Sequence, residues 1–365
     1  MPFQNGPISA NLPVILDPSY FILVPTPIHP SAFSSMLRTR LPAPAFCMFL
    51  AGLIAPCAHA DPLADLAKYS VFSQVDLSGL SAGKILAQRG PSLDFPRDLT
   101  VQSLYLIHAP VARALDMHKQ WDAGKHPELK VYLHHDFSTH PTLADFSLSL
   151  PGNSAVRRLA DATGKLPDMG DLQLSKAEAA AFKGSTFPAF WSQLLLRRAS
   201  AFLQRGFGGQ PPYDSADGSV RVADEVSRLL REQPRVRAAF GPIIGRSALS
   251  GGAGSLPLFP YWELFDVEGE AGFSLGSASS LQSGDSAQMV DFQYYASGGY
   301  YTFLTLYQMW PVTIDGKPAT LVWRVDSISS LSLADLRPFE RMGSGAAMIR
   351  DVERIISFFQ KDMGR

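Results

Sequence analysis

Residues 287–330 read AQMVDFQYYASGGYYTFLTLYQMWPVTIDGKPATLVWRVDSISS, and the fold class follows from how that run is punctuated. From Ala287 to Tyr295 strand formers alternate, with Val290, Phe292 and Tyr294 on one face. Ser297-Gly298-Gly299 supplies a turn able to take positive φ. Tyr300 to Trp310 is apolar or aromatic on both faces, the pattern of a strand covered on each side. Pro311 limits its pairing, and Asp315-Gly316 is a two-residue hairpin signal. In Ala319 to Ser330, Leu321, Trp323 and Val325 point one way while Arg324 and Asp326 point the other. Two earlier runs, Leu258 to Val267 and Gly272 to Leu281, complete a five-stranded antiparallel meander.

After Leu331 the period changes from two to that of a helix. Met348, Val352, Ile355 and Phe359 form an apolar stripe widened by Ile349 and Ile356, with Arg350, Glu353, Arg354, Gln360 and Lys361 elsewhere around the helix. Gly343 and Gly345 near its start allow close backbone approach. The predicted fold class is therefore α+β: an antiparallel sheet wrapping a long C-terminal helix.

Upstream, residues 1–35 are proline-rich, carry Asp17 as their only charge and lack periodicity; they read as an over-extended, disordered N-terminus. Residues 36–60 have the layout of a signal peptide. Met36-Leu37-Arg38-Thr39-Arg40 is a basic start, Phe46 to Ala55 a short apolar core, and Ala58-His59-Ala60 a small-x-small cleavage site. The expectation is an exported protein, periplasmic or secreted, cleaved at about Ala60. Both cysteines, Cys47 and Cys57, would leave with that segment, so no disulfide, thiol nucleophile or thiolate ligand is expected in the rest. Charge is near balance, at −1, which argues against a nucleic-acid partner. No apolar window is long enough to predict a membrane span.

Residues 61–98 form a mixed lead-in with a short strand over Lys84 to Arg89; residues 99–365 make up the α+β domain. Leu99 to Ile107 (LTVQSLYLI) alternates as a strand, His108-Ala109-Pro110 breaks it, and Val111 to Trp121 has helical spacing. Residues 151–240 form a helical insertion. Ser154 is its first cap, Ser175 to Glu178 a capping box, Pro188 opens a long helix ended by Gly206, and Ser219 caps a helix halted by Pro234. Gly206 to Asp217 and Gly241 to Leu256 read as loops.

A strand running into Ala-Pro and a helix, followed by a meander and a long terminal helix, resembles the START or polyketide-cyclase-like superfamily. The matching pieces are Leu99 to Trp121 and Leu258 to Arg365, and the likeness rests on element order. The helical insertion departs from that pattern by its length. The resemblance implies a helix-grip fold, in which a curved sheet wraps the last helix and leaves an apolar cavity between them.

No complete catalytic set is present. Gly272-Phe273-Ser274-Leu275-Gly276 matches G-x-S-x-G, but strand-like residues follow it and no histidine occurs after His140. Ser81-Ala82-Gly83-Lys84 matches S-x-x-K without its partner motifs. His134, His135 and His140 carry the one candidate metal site, because imidazoles beside Asp136 can ligate zinc; H-E-x-x-H is absent, and neighbours on a strand point to opposite faces. Glu263, Asp266, Glu268 and Glu270 supply carboxylates with no readable separation, and Arg324 with Asp326 suits a structural ion pair. No motif asks for a cofactor. The function expected from the residues is non-catalytic: an apolar small molecule or lipid held between sheet and helix by Tyr294, Tyr307, Trp323, Met348, Val352, Ile355 and Phe359. The alternatives are an envelope structural or interaction protein with a solid core, and a secreted metal-dependent enzyme.

Overall fold

The structure, a computed structural model, describes residues 61–216, 218–267 and 269–363. The expected signal peptide, the residues before it and Glu268 lie outside the described residues.

Eight strands form one antiparallel sheet: β1 (Leu86–Arg89), β2 (Asp98–Ile107), β3 (Val131–Asp136), β6 (Phe259–Val267), β7 (Glu270–Ser283), β8 (Ser286–Ala296), β9 (Thr302–Ile314) and β10 (Lys317–Ser329). Their order is β1-β2-β10-β9-β8-β7-β6-β3. The last five strands are the meander predicted from the sequence. The N-terminal strands β1 and β2 extend it on one side, and β3 extends it on the other. A two-residue ribbon of β4 (Tyr213–Asp214) and β5 (Ser219–Val220) stands apart. Pro311 does not end β9, which continues to Ile314 opposite Lys317. Pairing with β8 stops at Met309, so Pro311 lies where β9 has β10 alone as a neighbour, and its missing N–H costs little there.

The C-terminal helix α10 (Pro338–Asp362) packs against the sheet, lying along β1 and β2. The helix after the Ala-Pro break, α3 (Val111–Gln120), covers β8, β9 and β10 on that same face. α10 thus grips one margin of the sheet and α3 its middle. Asp362 fastens the two together by accepting hydrogen bonds from Trp121 Nε1 at 2.6 Å and His126 Nε2 at 2.8 Å.

The opposite face is covered by α1 (Pro62–Tyr69) and the helical insertion. The insertion contains α4 (Ser154–Gly164), α5 (Lys176–Ala180), α6 (Phe187–Arg205), α7 (Val222–Arg231) and α8 (Pro234–Ala239), with a short α9 (Gly241–Ile244) after it; α2 (Leu77–Ser81) lies against β2. Two covered faces explain why Tyr300 to Trp310 carries apolar and aromatic residues on both of its faces. At β8 the register slips: Leu275 pairs with Tyr295 and Gly276 with Gln293, leaving Tyr294 as the extra residue of a bulge. Both tyrosines therefore enter the insertion-side core, where Tyr294 stacks flat on Phe202 at 3.8 Å.

Several local expectations shift. Asn153, one residue before Ser154, caps α4 through Val156 N at 2.9 Å. Ser219 lies in β5 and Arg221 takes the N-cap position of α7. Pro234 halts α7 and also opens α8, since a first-turn proline forfeits no helical bond. The Ser175–Glu178 capping box forms as read. Residues 131–136, which hold two of the clustered histidines, form strand β3, because they find an antiparallel partner in β6 more than a hundred residues later.

Candidate functional site

The seven side chains expected to line one ligand space divide between two cores. Tyr307, Met348, Val352, Ile355 and Phe359 lie on the α10 face, whereas Tyr294 and Trp323 point into the insertion-side core. All seven are buried against protein. Phe359 contacts the rings of Tyr105, His118 and Trp121. The three histidines do not converge either. His134 faces the α10 side of the sheet opposite Glu263, His135 lies opposite Trp262 with its ring near the indole, and His140 is exposed on the following loop. Among the described residues no group of three or more His, Cys, Asp or Glu side chains can hold a metal ion.

The α10 face carries a band of buried polar groups that alternation alone placed there. In its first part Tyr105 donates to His118 Nε2 at 2.6 Å, and His118 Nδ1 donates to Ala114 O at 2.8 Å. Burial, and secondarily the nearby Arg324 charge, outweigh the Ala114 bond and bring the imidazole down to about 4, so the ring is neutral with its proton on Nδ1. In its second part His134 lies between Glu263 (3.0 Å from Nδ1) and Asp136 (3.2 Å from Nε2), stacked on Tyr261. Burial opposes charge on this ring too, but the hydrogen bonds and charges of Asp136 and Glu263 outweigh it and lift it to about 10. Tyr261 in turn donates to Asp291 at 2.9 Å. The Tyr261 ring fills the space above Gly276, where a Cβ would stand 2.2 Å from a ring carbon.

This clamp ties the edge strand β3 to β6, and it gives a signed pH dependence. The folded value for His134, about 10, exceeds its ordinary 6.5. Its stabilisation is therefore full below about pH 6.5 and lost as pH rises through about 10. Urea unfolding of the wild type and His134→Gln should show a gap of roughly 1–3 kcal/mol near neutrality that narrows toward pH 10. A gap that stays constant over that range would remove the imidazolium from the account.

On the insertion side a cleft of about 620 Å³ opens between the end of α1, the segment after β1 and the α7–α8 corner, with β2 beneath. Tyr69, Val71 and Phe72 make its apolar wall, while Gln102, Glu232 and Gln233 contribute polar groups. Gln102 Oε1 accepts from Val71 N and from Trp323 Nε1, both at 3.1 Å. Gln233 Nε2 donates to Leu229 O at 3.2 Å and Ser327 Oγ at 3.1 Å. Arg228 Nε donates to Glu232 Oε1 at 2.9 Å. Glu232 Oε2 and Gln233 Oε1 are buried without a hydrogen-bond partner. Nearby, at the start of β2, the Asp98 carboxyl is pushed up to about 7, first by burial and in small part by the Glu232 charge, against the Thr100 hydroxyl, Arg341 and Arg89.

No family model matches the chain, and a search of curated proteins finds no relative. Function must come from the sites themselves. The polar band is roofed by helices and bonds mostly within itself, although Asp291 Oδ2 is buried without a partner. The cleft opens to solvent, has a volume in the range of small-molecule sites, and mixes aromatic walls with a few polar atoms. None of its residues stands out as a site in the sequence, because they come from separated segments. One signal is visible there: Gln102 interrupts LTVQSLYLI, a strand otherwise fit for burial on both faces.

Proposed function

We propose that this chain is an exported, non-catalytic protein that binds a small molecule with an apolar body, and that the ligand lies in the cleft between α1, β2 and the α7–α8 corner. The observation that carries the reading is the cleft itself: about 620 Å³, walled by Tyr69, Val71 and Phe72, with polar groups at Gln102, Glu232 and Gln233. Burial of the ligand's apolar surface would drive association, and the polar groups would orient it. The cleft replaces the space beneath α10 as the preferred site, because Met348, Val352, Ile355 and Phe359 are already covered by protein. Export is supported by the basic start at Met36, the short apolar core and the Ala58-His59-Ala60 site. A cut after Ala60 would also spare the first helix cap, since Asp61 Oδ1 accepts from Leu63 N at 3.0 Å.

The test is extraction and mass spectrometry of the full chain beside Ala67→Trp, which places an indole in the cleft from the exposed side of α1. The expected result is a small molecule recovered in near-stoichiometric amount from the wild type and depleted from the variant. Two equally stable proteins that both come up empty would count against the reading.

A further inference from the structure

Two buried acceptors in the polar lining of the cleft have no donor, although donors beside them are occupied: Val71 N by Gln102, Phe72 N and the Ser70 hydroxyl within the α1 end, and Gln233 Nε2 by Leu229 and Ser327. Glu232 Oε2 and Gln233 Oε1 have no partner, and Gln233 is only 4% exposed. The two residues are consecutive, closing α7 and opening α8, so both side chains come from one fixed corner. Each oxygen ends a side chain that lines the cleft, and the last torsion of Glu or Gln is broad. An incoming donor reaches either oxygen by side-chain rotation, which exchanges the Arg228 bond of Glu232, or the Leu229 and Ser327 bonds of Gln233, for the bond to the ligand. A buried acceptor with no donor forfeits what water would give it, and a ligand donor restores that.

We propose, on the reading of this cleft as the binding site, that its ligand enters with N–H donors foremost: an amide, amidine or amine carried on a flat apolar body. The donors meet Glu232 Oε2 and Gln233 Oε1, and the body lies against Tyr69 and Phe72. A carboxylate at that position would bring acceptors to acceptors and a negative charge to Glu232. Arg235, exposed among the lining residues, is a cation that would favour the opposite outcome, so the two recognitions make contrary predictions.

Three probes of nearly one shape separate them: benzamidine, benzamide and benzoate, each titrated into the full-length protein and followed by the amide resonances of Val71 and Gln233. The expected result is saturable binding of benzamidine and benzamide, with benzoate weaker by about tenfold or more. In Glu232→Gln the advantage of benzamidine over benzamide should disappear, while benzamide still binds. Benzoate binding as tightly as benzamidine overturns the donor rule and leaves the cleft as a binding site recognised at its rim. Failure of all three probes to shift either resonance at millimolar concentration overturns the binding site together with the rule. An unchanged benzamidine preference in Glu232→Gln removes Glu232 from the recognition.

Discussion

Arg198→Ala is expected to lose about 3–5 kcal/mol of stability, among the largest single-residue effects in the fold. Arg198 sits on α6 with no exposed surface. Its Nε donates to Glu178 Oε1 at 2.9 Å and a terminal nitrogen to Glu178 Oε2 at 2.6 Å, a two-pronged pairing. The other terminal nitrogen reaches Pro211 O at 3.2 Å, and the guanidinium lies 4.2 Å from the Tyr295 ring centre. Alanine would leave Glu178 buried and still pointing inward, because that carboxylate also accepts from Ser175 N in the capping box of α5. Most of the cost is therefore that of a carboxylate stranded in the interior, and the missing hydrogen bonds and packing of Arg198 are the smaller part. Equilibrium urea unfolding gives the number. A loss below about 1 kcal/mol would mean that water reaches Glu178 in the variant, and that the pair is not what holds α5 to α6.

Half of that interaction is legible in the sequence. Ser175-Lys176-Ala177-Glu178 spells a capping box, but Arg197-Arg198 reads as an ordinary charged turn of helix, and only the packed structure separates exposed Arg197 from buried Arg198. The same division runs through the fold. The five strands from Phe259 to Ser329 are readable because period-two patterning and short turns are local properties. The Ala-Pro junction that opens α3 is readable for the same reason. The pairing of β3 with β6 is not, since it joins residues 131–136 to a strand beginning at Phe259, and no local pattern records that contact. Alternation correctly sets Trp323 opposite Arg324, yet it cannot say which face a given helix will cover. That missing fact is why Trp323 and Tyr294 look like partners of the α10 stripe when they belong to the other core. The cleft is illegible for a third reason. A concavity is a property of several chain segments together, and residues 67–73, 91–93 and 232–236 share nothing in sequence that marks them as neighbours.

Arg324 and Asp326 provide the sharpest case of a polar pattern whose surroundings decide its energy. As alternate residues on an edge they would form a solvated pair contributing about 0–1 kcal/mol. On β10, between β2 and β9 and beneath helices, they are 3% and 0% exposed. Arg324 Nε lies 2.8 Å from one carboxylate oxygen of Asp326 and a terminal nitrogen 2.7 Å from the other. Thr305, the cross-strand neighbour on β9, donates its hydroxyl to Asp326 at 2.9 Å, and the Tyr307 ring faces the guanidinium at 5.4 Å. Arg324→Met should therefore cost about 3–5 kcal/mol, because it leaves Asp326 with Thr305 alone in a dry interior. Asp326→Leu should cost a similar amount for the mirrored reason. The double variant should be more stable than either single one, since it removes both charges and strands only the Thr305 hydroxyl. Thermal or urea unfolding of the four proteins closes the cycle. If the double variant instead loses the sum of the two single effects, the residues act independently, and the pair does not anchor the centre of the sheet.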